Sequence, residues 1–131
     1  MIRRTSSKEA CVFCSIPVQN INAANPLAYA IRDANPVTLL HTLIVPRRHV
    51  PNYFDLHRAE RNAIEDLLIG SRDEILSLDE TIDGFNIGVN IGETAGQTIF
   101  HCHVHLIPRR PGDVRNPRGG VRAIIPGKAS Y

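Results

Sequence analysis

Between Asp55 and Leu78 the apolar residues Leu56, Ala59, Ala63, Ile64, Leu67, Leu68, Ile75 and Leu78 recur three or four positions apart, with charges between them. That spacing predicts an amphipathic helix with one face turned to a core. Asp55 suits its N-cap, and Gly70 is a weak point in its middle, worth up to ~1 kcal/mol against alanine. On either side the pattern changes to short apolar runs with turn residues at their ends. Leu27 to Asp33 reads as a strand between Asn25-Pro26 and Asn35-Pro36, and His41 to Pro46 as a second. Phe85 to Asn90 alternates and reads as a third, and Thr98 to Pro108 as a fourth that its proline ends. The last two share a short loop, so they pair antiparallel. A β-β-α-β-β order predicts an α+β domain, an antiparallel sheet with a helix on one face. A short helix around Val12 to Ile16 precedes it.

The chain has 131 residues, 43% of them apolar, which suits one domain with one core. A net charge of +2 is too small to indicate nucleic-acid binding. The N-terminal stretch lacks the apolar core of a signal peptide, and no run approaches a membrane span, so a cytoplasmic protein is expected. Three cysteines, two of them in Cys11-x-x-Cys14, favour metal or redox use over a disulfide framework.

The chemistry concentrates in "HCHVHLIPRR", which holds three of the six histidines at alternate positions. On a strand, His101, His103 and His105 share one side, while Cys102, Val104 and Leu106 share the other and face the core. Surface histidines are the plainest explanation. A shared metal is harder, because zinc sits about 2.0–2.1 Å from a histidine nitrogen while strand rise separates His101 from His105 by about 13 Å. A catalytic zinc held by the whole row needs a sharply bent strand. Nucleophilic chemistry fits more easily: a neutral imidazole attacks near pH 7, and flanking rings donate hydrogen bonds to anionic oxygens. The preceding loop, Asn90 to Thr98, carries Gly92 and Gly96 and offers backbone N–H donors to anions. His41 opens the second strand and can supply a fourth ring.

The stretch "NIGETAGQTIFHCHVHLIPRRPGD" resembles the histidine triad (HIT) family, whose signature alternates three histidines with apolar residues and then adds two more. Cys102 fills one apolar slot. The likeness extends from "CVFC" through "NPVTLLHTLIVPRRHV" to "PRGGVRAIIP". It implies a sheet of about five strands with one main helix, a single domain over 1–131, and a C-terminal tail from 109. It also implies that His103 is a nucleophile toward the α-phosphorus of a nucleotide. His105 would bond phosphate oxygens, His101 would support the nucleophile, and His41 would be the separate fourth histidine. Asp33 matches a ribose-hydroxyl acceptor. Asn90, Gln97 and Thr98 match phosphate and leaving-group contacts, and Val12, Phe13, Ile16 and Ile31 match the walls of a base pocket.

In zinc-containing relatives Cys11, Cys14, His49 and His101 match a four-ligand site, and magnesium can accompany the substrate phosphates. The arginines Arg109, Arg110, Arg115, Arg118 and Arg122 could meet a polyphosphate. The family also implies a homodimer, with no nucleic-acid or membrane partner. His57 matches nothing and reads as a solvated residue; Cys102 reads as a core thiol. The sequence looks most like the dinucleoside polyphosphate hydrolases, with diadenosine tetraphosphate as a typical substrate. A nucleoside phosphoramidase, a zinc hydrolase built on the histidine row, and a nucleotide-binding adaptor are the alternatives.

Overall fold

A computed structural model of the chain describes residues 10–130. Its sheet has five strands: β1 (Ile21–Ala24), β2 (Ala28–Arg32), β3 (Thr42–Pro46), β4 (Gly84–Gly88) and β5 (Val104–Arg109). They lie in the order β1-β2-β3-β5-β4, and every neighbouring pair is antiparallel. One helix, α1 (Arg58–Leu78), connects β3 to β4 and covers one face. The α+β expectation and the single main helix stand. Among the described residues no helix is long and apolar enough to cross a membrane.

β2 and β3 are buried along almost their whole length because both sheet faces are covered. Ala28 and Ala30 point toward α1, and their small side chains let Ala63, Ile64 and Leu67 approach the sheet closely. Alternate residues Tyr29, Ile31, Leu43 and Val45 point the other way and pack beneath Cys11 and Phe13. The Tyr29 hydroxyl donates to the Phe13 carbonyl, which fastens the short helical turn Val12–Cys14 over this second face. One face of the sheet thus belongs to the core, and the other has room for a cleft.

Four details differ from the sequence expectation. β1 went unpredicted because "INAA" has no apolar alternation; it is an edge strand with a bulge and three exposed residues. The helix begins at Arg58, not after Asp55, which ends a separate helical turn, Tyr53–Asp55. Glu60 does the capping, accepting the His57 backbone N–H at 2.8 Å. Ala59 and Leu78 lie on the solvent side of α1, while Ser71 joins the buried face. β5 starts at Val104, not Thr98, because the Cys102 N–H donates to the Val50 carbonyl at 2.7 Å and the chain bends there. His57 is exposed and Cys102 is 1% exposed, as expected of a surface residue and a core thiol.

Glu60 is only 4% exposed, yet it carries a carboxylate. It receives Arg48 Nε at 3.0 Å and Nη2 at 2.8 Å as well as the His57 N–H. The guanidinium holds its pKa below the ordinary carboxylate range. Glu60→Ala strands Arg48 and uncaps the helix, so a loss of about 2–3 kcal/mol is expected in urea unfolding.

Candidate active site and metal cluster

The end of β2 places Asp33, and the start of β3 places His41 against β5, where Leu43 is paired with His105. The His105 ring reaches across the sheet: its Nδ1 lies 2.9 Å from His41 Nε2. His41 Nδ1 accepts the Val37 backbone N–H at 3.1 Å. A nitrogen that accepts carries no proton, so the proton of a neutral His41 is on Nε2 and is donated to His105 Nδ1. The proton of His105 is then on its Nε2, which is buried and has no partner among the described residues. Asp33 Oδ2, 3.4 Å from His41 Nε2, flanks the same relay.

His103 is oriented differently. Its Nδ1 is 2.8 Å from the His101 carbonyl, an oxygen that can only accept. Nδ1 therefore holds the proton and Nε2 carries an exposed lone pair. Phe13 packs against this ring with centroids 4.9 Å apart, and His105 lies 5.2 Å away by the same measure. Both rings line a cleft of about 880 Å³. Val12, Phe13, Ile16 and Ile31 also line this cleft, as do Asp33, Asn90, Gly96 and Thr98.

Two expected residues lie elsewhere. Gln97 is buried in the glycine loop, where its Oε1 accepts the Gly92 N–H and its Nε2 donates to the Pro51 and Ile99 carbonyls. It shapes the loop and does not line the cleft. His101 is fully buried on the far side of the bend, with Nε2 donating to the Pro46 carbonyl at 2.7 Å. Its Nδ1 is left to face Cys11 Sγ at 3.4 Å, Cys14 Sγ at 3.5 Å and His49 Nδ1 at 3.2 Å. Cys14 Sγ and His49 Nδ1 are 3.2 Å apart. The ligand atoms of all four residues fall within 4.8 Å of one another.

Sequence reasoning missed Val37, whose N–H sets the tautomer of His41, because a backbone donor leaves no mark in a residue pattern. It also missed Leu40, the one non-glycine residue with positive φ among those described, at 74°. A leucine in the left-handed region costs roughly 1–2 kcal/mol.

Burial, the largest cause in each case, lowers the pKa of His41, His103 and His105. His105 is pushed down to about 4, with His103 and His41 adding to the effect. In the unfolded chain the same ring titrates near 6.5, so between pH 6.5 and 4 the unfolded state binds more protons. Stability is therefore expected to fall as pH drops through this window. His105→Gln should flatten part of that slope in thermal unfolding, measured with chelator present in both proteins.

A family model described as the HIT domain matches residues 18–112. A HIT-like protein of Mycoplasma pneumoniae is 32% identical over 113 residues, covering 82% of this chain and 76% of its own. The crystal structure of a zinc-bound histidine triad family protein from Mycobacterium smegmatis superimposes with a TM-score of 0.73 at 30% identity, covering 82% of this chain and 80% of that one. The diadenosine triphosphate hydrolase of Plasmodium falciparum gives a TM-score of 0.66 at 28% identity, covering 77% of this chain and 68% of that one. The fold, the histidine row and the family match agree: this chain belongs to the HIT domain family.

Proposed function

We propose that this protein hydrolyses a dinucleoside polyphosphate such as diadenosine tetraphosphate through a nucleotidyl-histidine intermediate on His103. The observation that carries the reading is the pairing of a lone pair on His103 Nε2 with an unpartnered N–H on His105 Nε2, both rings lining one cleft. In the first step His103 Nε2 attacks the α-phosphorus, a P–N bond forms, and the P–O bond to the departing polyphosphate breaks. His105 Nε2–H donates to the phosphoryl oxygens as charge builds on them. The positive charge that develops on His103 is shared through Nδ1–H with the His101 carbonyl. Water then attacks the same phosphorus, gives up one proton to solvent and breaks the P–N bond, which releases the nucleoside monophosphate and returns the ring to its neutral form.

The remaining residues position the substrate. The apolar walls of the cleft suit a base, Asp33 suits ribose hydroxyls, and Asn90 and Thr98 suit phosphate oxygens. The similarity to a diadenosine triphosphate hydrolase supports this substrate class. His103→Ala is expected to lower turnover at least about 10³-fold while nucleotide still binds. The check is a turnover assay of diadenosine polyphosphates beside adenosine phosphoramidates, with binding followed calorimetrically. Near-normal hydrolysis by the variant would sink the covalent route.

Cys11, Cys14, His49 and His101 fit a structural zinc ion. Ligands about 2.0–2.3 Å from one tetrahedral ion stand about 3.3–3.8 Å apart; four of the six ligand pairs lie at 3.2–3.5 Å here, and all lie within 4.8 Å. The His101 Nε2–H···O contact to Pro46 is the orienting bond that a metal-bound imidazole commonly makes. Four protein ligands leave no open position for water, so the ion would supply cross-linking and no chemistry. About one zinc per chain is expected by elemental analysis. The double change Cys11→Ala and Cys14→Ala should remove it and lower the melting temperature; native protein without zinc and of unchanged stability would refute the assignment.

A further inference from the structure

The turn that delivers His41 is unusual for its sequence. The His41 N–H donates to the Thr38 carbonyl at 3.1 Å, which closes a four-residue turn with Leu40 at its third position. A positive φ there is what a type II turn requires, and glycine is the ordinary occupant. Leu40 adopts φ 74° and still places its side chain against Ile75, Ile82 and Leu106 in the core. The turn is held from outside as well. Thr38 Oγ1 donates to the Pro108 carbonyl at 2.8 Å, and Arg110 Nη2 donates to the Leu39 carbonyl at 3.0 Å. Thr42 Oγ1 closes on the Leu40 carbonyl at 2.9 Å. A strained residue persists where its surroundings over-determine it, and such residues cluster at functional sites.

We propose that Leu40 is a positioning residue for the His41–His105 relay: its side chain, anchored in the Ile75–Ile82–Leu106 cluster, fixes the turn that points the His41 ring at His105. His41 is the next residue in the chain, and its ring accepts from Val37 in the same loop. A change in the path of this turn moves both the ring and the N–H that sets its tautomer. A glycine would adopt the same φ without strain but would remove the turn's apolar anchor in the core, leaving only its hydrogen bonds to hold it. The leucine therefore gives registry where glycine would give only a permitted backbone.

The consequence for turnover rests on the function proposed above; the geometric part does not. The test compares Leu40→Gly and Leu40→Asn, which both tolerate positive φ, with Leu40→Met, which keeps a long apolar side chain. The wild-type His41 Nε2–H bridging to His105 Nδ1 should appear as a slowly exchanging, low-field proton in NMR of ring-¹⁵N-labelled protein. In the glycine and asparagine variants this resonance should broaden or vanish although circular dichroism shows a folded chain. Their kcat on diadenosine tetraphosphate should fall about 10- to 100-fold with KM within about twofold, as expected for a misplaced catalytic group. The methionine variant should restore both readouts. Wild-type resonance and kcat in either the glycine or the asparagine variant overturns the proposal, as does a methionine variant as impaired as the glycine one. If the wild-type protein does not turn over this substrate, the functional reading fails and the resonance alone decides the role of Leu40.

Discussion

The hydrogen bond from His101 Nε2 to the Pro46 carbonyl ties the end of β3 to the start of the histidine row. Three arrangements depend on it. The ring can be fully buried because its only donor is satisfied, and its Nδ1 is left toward the two cysteines and His49. The bend that brings the ring there takes His101 off the strand, so β5 begins only at Val104. That same bend presents the His101 carbonyl to His103 Nδ1 and so frees the opposite nitrogen of His103. One buried imidazole thereby joins the Cys11–Cys14–His49 cluster to the protonation pattern of the proposed nucleophile.

Burial decides the electrostatics of the row. Asp33 lies 3.4 Å from His41 Nε2, and its carboxylate favours a charged ring. Yet His41 is only 2% exposed, and the cost of desolvating an imidazolium is the larger effect, so its pKa falls. His103 and His105 are lowered for the same leading reason. The histidine row therefore offers one lone pair and oriented N–H dipoles and little standing positive charge of its own. A neutral His103 is the form that the proposed attack on phosphorus needs, and a neutral His105 keeps its relay to His41 intact.

Periodic features were legible in the sequence. The main helix, four of the five strands and the apolar side of the histidine row were legible in the sequence pattern, because burial of one face imposes that spacing. β1 was not legible, since an exposed edge strand imposes no alternation. The start of α1 was misplaced because Asp55 is as good a capping residue as any by type, and only the buried Glu60–Arg48 pair shows where the helix begins. Strand geometry ruled against a shared tripod, but it could not say that the bend would send His101 to Cys11 and Cys14. Gln97 matched a phosphate contact by position, yet an amide beside two left-handed glycines has backbone groups closer to hand.

The arginines after β5 show how the fold competes with function for charge. Arg109 is the last residue of β5, and its guanidinium is held by both oxygens of Asp113, at 2.7 and 2.8 Å, and by Asn86 at 2.7 Å. Arg110 reaches back to Asp79 at the end of α1 and to the turn at Leu39. Asp113 and Asp79 are both held below the ordinary carboxylate range, Asp113 chiefly by Arg109 and Asp79 chiefly by Thr81, with Arg110 adding to it. A guanidinium already matched to a carboxylate gains little from a phosphate, because the new contact must first break the old one. Arg109 and Arg110 therefore brace the sheet edge and the His41 turn.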